Sequence, residues 1–226
     1  MAEGELSFGI DSGRRILRSS SAISEGNDVS LISTLGSPLY QAPPFPVHRF
    51  SVAQYLRMVE TGVLKEDDKV ELLDGWITPK MARNPPHDSA LAQIDEAIAP
   101  LVRPNWHIRR QSALVLAASV PEPDLAVVAG SPRQYRTRHP GPADVALLVE
   151  VADSSLDHDR NVKGPIYANA GIATYWVANL VAGILEVYTS PAPNGYQQRQ
   201  DYTVNDVVPL AVGGQLTQVP VADLIG

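Results

Sequence analysis

A chain of 226 residues with a formal net charge of −7 and no cysteine excludes several classes at once. Disulfide frameworks and thiolate zinc sites are ruled out, and an acidic total does not suit a protein that coats DNA by neutralising its phosphates. Apolar residues make up 44%, enough for a sizeable core, and no apolar run approaches the roughly 20 residues of a membrane-spanning helix. The first residues, MAEGELSFGIDSGRR, are broken by charge and glycine. They offer no signal-peptide core, so a cytoplasmic location is expected.

Residues 1–47 read as an N-terminal tail or linker. The stretch is rich in Ser, Gly and Pro, carries a short basic arm around Arg14, Arg15 and Arg18, and ends in QAPPFPVH. Residues 48–226 read as one domain. Ser51 is placed to cap a helix through Tyr55 and Val59 that Gly62 ends. VELLDGWI then signals a hairpin turning at Asp74-Gly75. Pro85 and Pro86 open a second helix, with Ala90, Leu91, Ile94, Ile98 and Leu101 on one face.

Strands are expected over WHIRRQSALVL, DLAVVAG and DVALLVEVA. The last is apolar almost throughout, as in a central strand covered on both faces. A helix from Asp157 to Ala170, closed by Gly171, should follow. The strands ATYWVANL and ILEVYTS pair across Val181-Ala182-Gly183. YQQRQDYTV adds a shorter strand, and a β-rich tail ends the chain. This order indicates an α/β fold with a mixed sheet.

Chemistry concentrates in a few side chains. Asp124 stands at a loop-to-strand junction after Pro121-Glu122-Pro123, where a carboxylate can reach a cleft. Glu150 ends the run Val145–Val149 and is costly to desolvate unless paired or bound to metal. Strand alternation puts Glu150 on the face of Leu148, opposite Val149 and Val151. Lys163, one of four lysines, lies in the following helix. Tyr167, one turn on, reads as a core aromatic. Glu71 in the hairpin is a third acid, and His87 begins the proline-capped helix on its apolar side.

Two acids and a lysine suit the holding of a hard divalent cation beside a phosphodiester. The histidines are scattered, so any metal should take oxygen ligands, Mg²⁺ or Mn²⁺. Arg133, Arg136 and Arg138, with Tyr135 among them, join the two acid-bearing strands. With Arg109 on an earlier strand they suit phosphate contact and base stacking. No P-loop, dinucleotide fingerprint, GxSxG or HExxH is present.

These pieces together resemble the Uma2 family, also called domain of unknown function 820. The matching segments are VELLDGWI, NPPHDSA, PEPDLAVV, LLVEVADSS and NVKGPIYANAGIATYWV, continuing through ILEVY. The resemblance runs from about Arg49 to the end. It implies a restriction endonuclease-like core of the PD-(D/E)xK superfamily, with a mixed central sheet flanked by helices and here an N-terminal extension. It further implies that Asp124 is the motif aspartate and Glu150 the second acid, and that the backbone carbonyl of Val151 is an added metal ligand.

The superfamily lysine would stand where Ala152 does. The Uma2 pattern carries it on the next helix instead, matching Lys163. Gly164-Pro165 directly follows and could turn Lys163 away from the acids. The expected function is Mg²⁺- or Mn²⁺-dependent hydrolysis of nucleic acid, DNA first, by a homodimer. Asp124, Glu150 and Lys163 would be catalytic, with Glu71 and His87 in support. The alternative is a nuclease-fold module that binds nucleic acid or protein without cutting.

Overall fold

The structure is a computed structural model and describes residues 46–102 and 104–226. The expected tail and basic arm, up to residue 45, lie outside the described residues. Ser51 caps α1 (Val52–Glu60) with a reciprocal Ser51–Gln54 capping box, and Gly62 follows it at positive φ. The hairpin β1 (Val70–Leu73) and β2 (Trp76–Pro79) turns at Asp74-Gly75, both left-handed. Asn84 caps α2 (Pro85–Ile98), whose buried face includes His87, Leu91, Ile94 and Ile98.

Six strands form one sheet in the order β3 (Trp106–Arg110), β4 (Leu125–Ala129), β5 (Val145–Ala152), β6 (Thr174–Asn179), β7 (Ile184–Ala192) and β8 (Gly195–Thr203). Only β5 and β6 run parallel; every other neighbouring pair is antiparallel. A separate hairpin, β9 (Val207–Val212) with β10 (Gln215–Pro220), precedes the short α5 (Ala222–Ile225). The expected strand over WHIRRQSALVL stops at Arg110. Gln111 adopts a left-handed φ of 44°, and the segment leaves the sheet.

Both faces of the sheet are covered. Leu147, Val149 and Val151 of β5 pack on one side with α2, β9 and α5 residues. Leu148 and Ala152 pack on the other with Ile166, Tyr167 and Tyr175. The alternation expected for Glu150 therefore holds. Burial on both faces is what makes β5 apolar nearly end to end.

The crossover from β5 to β6 is helical as expected, but irregular. It comprises α3 (Leu156–His158), a π-helical stretch Asp159–Lys163, and α4 (Gly164–Asn169). Pro165 has no N–H for the carbonyl of Asn161, so a regular ladder would break there in any case. Instead the Gly164 N–H reaches Asp159 O, five residues back, and Pro165 falls in the first turn of α4.

The first hairpin docks through its turn. Phe50 N–H donates to Gly75 O, Gly75 N–H to Ala118 O, and Val120 N–H to Leu72 O at 2.7 Å. A Cβ on Gly75 would lie 2.8 Å from Arg49 Cβ, at a φ of +80°. Gly75→Ala is therefore expected to lower stability by about 1–2 kcal/mol. Gly62→Ala, in open space at a similar φ, should cost less. Urea denaturation of the two variants compares them.

Candidate active site

Asp124 stands one residue before β4, directly beside Glu150 near the end of β5. Its N–H donates to Glu150 Oε2 at 3.3 Å, and its Oδ2 accepts the Val151 N–H at 2.9 Å. His87 Nε2, from the first turn of α2, lies 3.0 Å from the same Oδ2. Burial would raise the Asp124 pKa, but His87, the Val151 N–H and Lys163 outweigh it and hold the carboxyl below its usual range. Burial likewise opposes the charged form of His87, yet the bond to Asp124 raises its pKa.

Lys163 is not turned away by Gly164-Pro165. It ends the π-helical stretch, and its Nζ lies 3.0 Å from Glu150 Oε1 and 3.8 Å from Glu71 Oε1. The wide turn carries the lysine onto the acid-bearing face. Burial disfavours its charge, but Glu150, Glu71, Asp159 and Asp124 surround it and raise its pKa strongly, so the ammonium stays charged. Burial pushes the Glu150 carboxyl well above its usual range, against the pull of Lys163.

Glu71 is buried rather than a surface charge of the hairpin. At 2% exposure it accepts the Glu122 N–H at 3.0 Å. The contact between Val120 and Leu72 sets that placement. Tyr167 is core as expected, but its hydroxyl also donates to Glu150 Oε1 at 2.7 Å. That oxygen therefore receives both Lys163 and Tyr167.

Sequence reasoning missed Asp159. It is 3% exposed, lines the same cleft, and accepts from Ser155 Oγ at 2.6 Å. The signal available was its place four residues before Lys163. Also missed was the outer wall of the cleft, where Lys65, Lys69, Lys80 and Arg83 gather. The cleft holds about 670 Å³ and includes Glu71, His87, Asp124, Glu150, Val151 and Lys163 in its lining.

The expected basic loop does not join them. It leaves β4 at Ala129, the end opposite Asp124, roughly 17 Å along the strand by the usual rise per residue. There Arg138 pairs with Asp144 at 2.7 Å and lies over Tyr135, while Arg109 lies over the same ring from β3. Arg133 and Arg136 are exposed on that loop. The three loop arginines belong to the far end of the sheet, away from the acids, whereas Arg109 stands opposite Ala126, nearer the acid-bearing end, with its guanidinium turned to Tyr135.

Two neighbouring acids on adjacent strands, with a lysine converging on one of them in a cleft of a mixed sheet, is the arrangement of a nuclease-like core. Comparison with known proteins agrees. The Uma2 family, described as "Putative restriction endonuclease", matches residues 52–221. The chain belongs to this family. A crystal structure of a "putative nuclease belonging to DUF820" from Anabaena variabilis superposes with a TM-score of 0.56. It is 13% identical and covers 78% of this chain and 97% of that one, so the likeness is one of fold. No curated protein matches the chain. Among the described residues, no helix is long and apolar enough to cross a membrane.

Asp159 gives a pH signature. Burial raises its pKa to about 6, against the pull of Lys163 and Ser155. A folded pKa above the unfolded value of 3.8 means that its contribution is lost as pH rises between the two. Asp159→Asn should therefore gain stability relative to the unaltered chain as pH goes from 4 to 6. Urea midpoints across that range would show it, and parallel curves would contradict it.

Proposed function

We propose that the protein is a divalent-cation-dependent nuclease that hydrolyses phosphodiester bonds of nucleic acid. The observation that carries the reading is the approach of the Lys163 ammonium to Glu150, beside Asp124, in one cleft. The donor set fits a hard cation. Seven carboxylates face five Lys or Arg side chains in the cleft lining, an excess that a divalent ion would neutralise. Among the described residues, no three His, Asp or Glu side chains are already spaced to hold a metal. Mg²⁺ asks less than that, since it keeps several waters and takes one or two carboxylates.

Asp124 and Glu150 would hold the ion. Asp124 Oδ1 forms no hydrogen bond among the described residues, both protein bonds falling on Oδ2. The Val151 N–H points to Asp124, and in an extended strand the carbonyl of that residue points the same lateral way, making it a third donor. A bound cation supplies an acidified water and neutralises the phosphate. Lys163 orients the attacking oxygen and stabilises charge developing on the phosphoryl group. His87 fixes the Asp124 carboxylate, while Glu71 and Tyr167 hold Lys163 and Glu150 in place. DNA as substrate, a homodimer, a cytoplasmic location, and a tail over residues 1–47 appended to the domain complete the proposal. These rest on the family resemblance and the sequence.

One observation favours a module that binds without cutting. Both Glu150 oxygens are already engaged, one by Lys163 and Tyr167 and the other by the Asp124 N–H. Calorimetry with Mn²⁺ separates the two. A cutting enzyme takes up the ion and Asp124→Ala does not, whereas a degenerate site takes up none. Asp124→Ala should also abolish Mg²⁺-dependent cleavage with the circular dichroism unchanged; full activity in that variant excludes the mechanism. Lys163→Met should lower kcat on the order of 10²-fold, measured on labelled oligonucleotides.

A further inference from the structure

The cleft has two unlike walls. The inner one holds Glu71, Asp124, Glu150, Asp159 and Lys163. The outer one, formed by the end of α1, the segment to β1 and the residues after β2, carries apolar and basic side chains together with Glu66. Val59 and Met81 line it at 48% and 44% exposure, and Leu64, half-buried, lines it too. Val59, Leu64 and Met81 line the same cleft as the charged site, so their open apolar surface borders it directly. Arg83 lies on the same wall, and so do Lys65 and Lys69. The two lysines form no ion pair among the described residues.

Resting on the nuclease reading above, we propose that this outer wall is a nucleobase subsite, and that the substrate is an unpaired, unstacked nucleotide strand. A base in a duplex has both its faces covered by its neighbours and presents only edges and phosphates. An apolar wall gains nothing from those. A base in a single strand, or one swung out of a helix, brings a free face that Val59, Leu64 and Met81 can cover. Lys65, Lys69 and Arg83 then meet the flanking phosphates, while the scissile phosphate lies against Asp124, Glu150 and Lys163. The size agrees. A cleft of about 670 Å³ lies within the roughly 300–1,000 Å³ of sites that enclose a small molecule, which suits one or two nucleotides.

The test is fluorescence anisotropy with the full-length chain carrying Asp124→Asn, so that binding is read without cutting. The probes are a labelled single-stranded DNA 12-mer and a labelled blunt hairpin duplex, with Mg²⁺ present. The single strand should bind at least about tenfold more tightly. Adding Val59→Glu and Met81→Glu should remove that preference. Both positions are exposed, and circular dichroism checks that the fold is kept. Equal or tighter binding of the duplex overturns the proposal, and so does single-strand affinity that the two glutamates leave unmoved. The nuclease reading is judged separately by cleavage with the unaltered chain. Single-strand preference without any cleavage sinks that reading and keeps the subsite, whereas cleavage without the preference does the reverse.

Discussion

The site depends on one ammonium ion held among carboxylates that are almost wholly buried. Lys163 is 7% exposed, and Glu71 and Glu150 are each 2% exposed. A charge taken from water at such depth costs several kcal/mol unless opposite charge and hydrogen bonds replace the solvent. Lys163 has Glu150 and Glu71 within 4 Å, and Glu150 has Tyr167 as well. Removing any one of them leaves a buried charge uncompensated. The elements that supply them, the first hairpin, β5 and the crossover helix, are therefore locked to one another.

The crossover solves a problem of reach. The acid lies near the end of a central strand, and the lysine must come to it from a helix across the sheet face. The π-helical stretch widens the turn at that point, with Lys163 as its last residue. Such turns recur at functional sites. Several contacts pin it. Ser155 bonds the Asp159 side chain, the Tyr175 hydroxyl donates to the Asp159 carbonyl at 3.1 Å, and Arg160 pairs with Glu186 of β7.

Glu186 makes an instructive contrast with Glu150. Register places both against Val177 on the intervening strand, so they share a sheet face. Glu186 is fully buried, and Arg160, Asn179 and Tyr188 all donate to it. Those donors, Arg160 foremost, offset its burial and lower its pKa, and it does not line the cleft. Glu150 also has three donors, Lys163, Tyr167 and the Asp124 N–H, but it has a neighbouring carboxylate and a cleft beside it. The same residue type is a structural anchor in one case and a cleft-lining group with a raised pKa in the other, and the neighbours decide which.

Local signals sufficed for much of this. Ser51 and Gln54 write a capping box, Asp74-Gly75 writes a tight turn, and the unbroken apolar run Val145–Val149 writes a doubly covered strand. Each depends on backbone sterics or burial period, which act over a few residues. The meeting of Asp124, Glu150 and Lys163 in one cleft was legible too, through resemblance as much as spacing. The depth of Glu71, the second role of Tyr167, the presence of Asp159 in the cleft and the exile of Arg133, Arg136 and Arg138 to the far end of the sheet were not. Each is set by which strand neighbours which, and in which direction it runs, across tens of residues. Sequence determined which groups could ionise and which segments would be helix or strand. Only the tertiary structure decided which charges lost their water and which faced each other, because desolvation and Coulomb energy depend on distance through space and not along the chain.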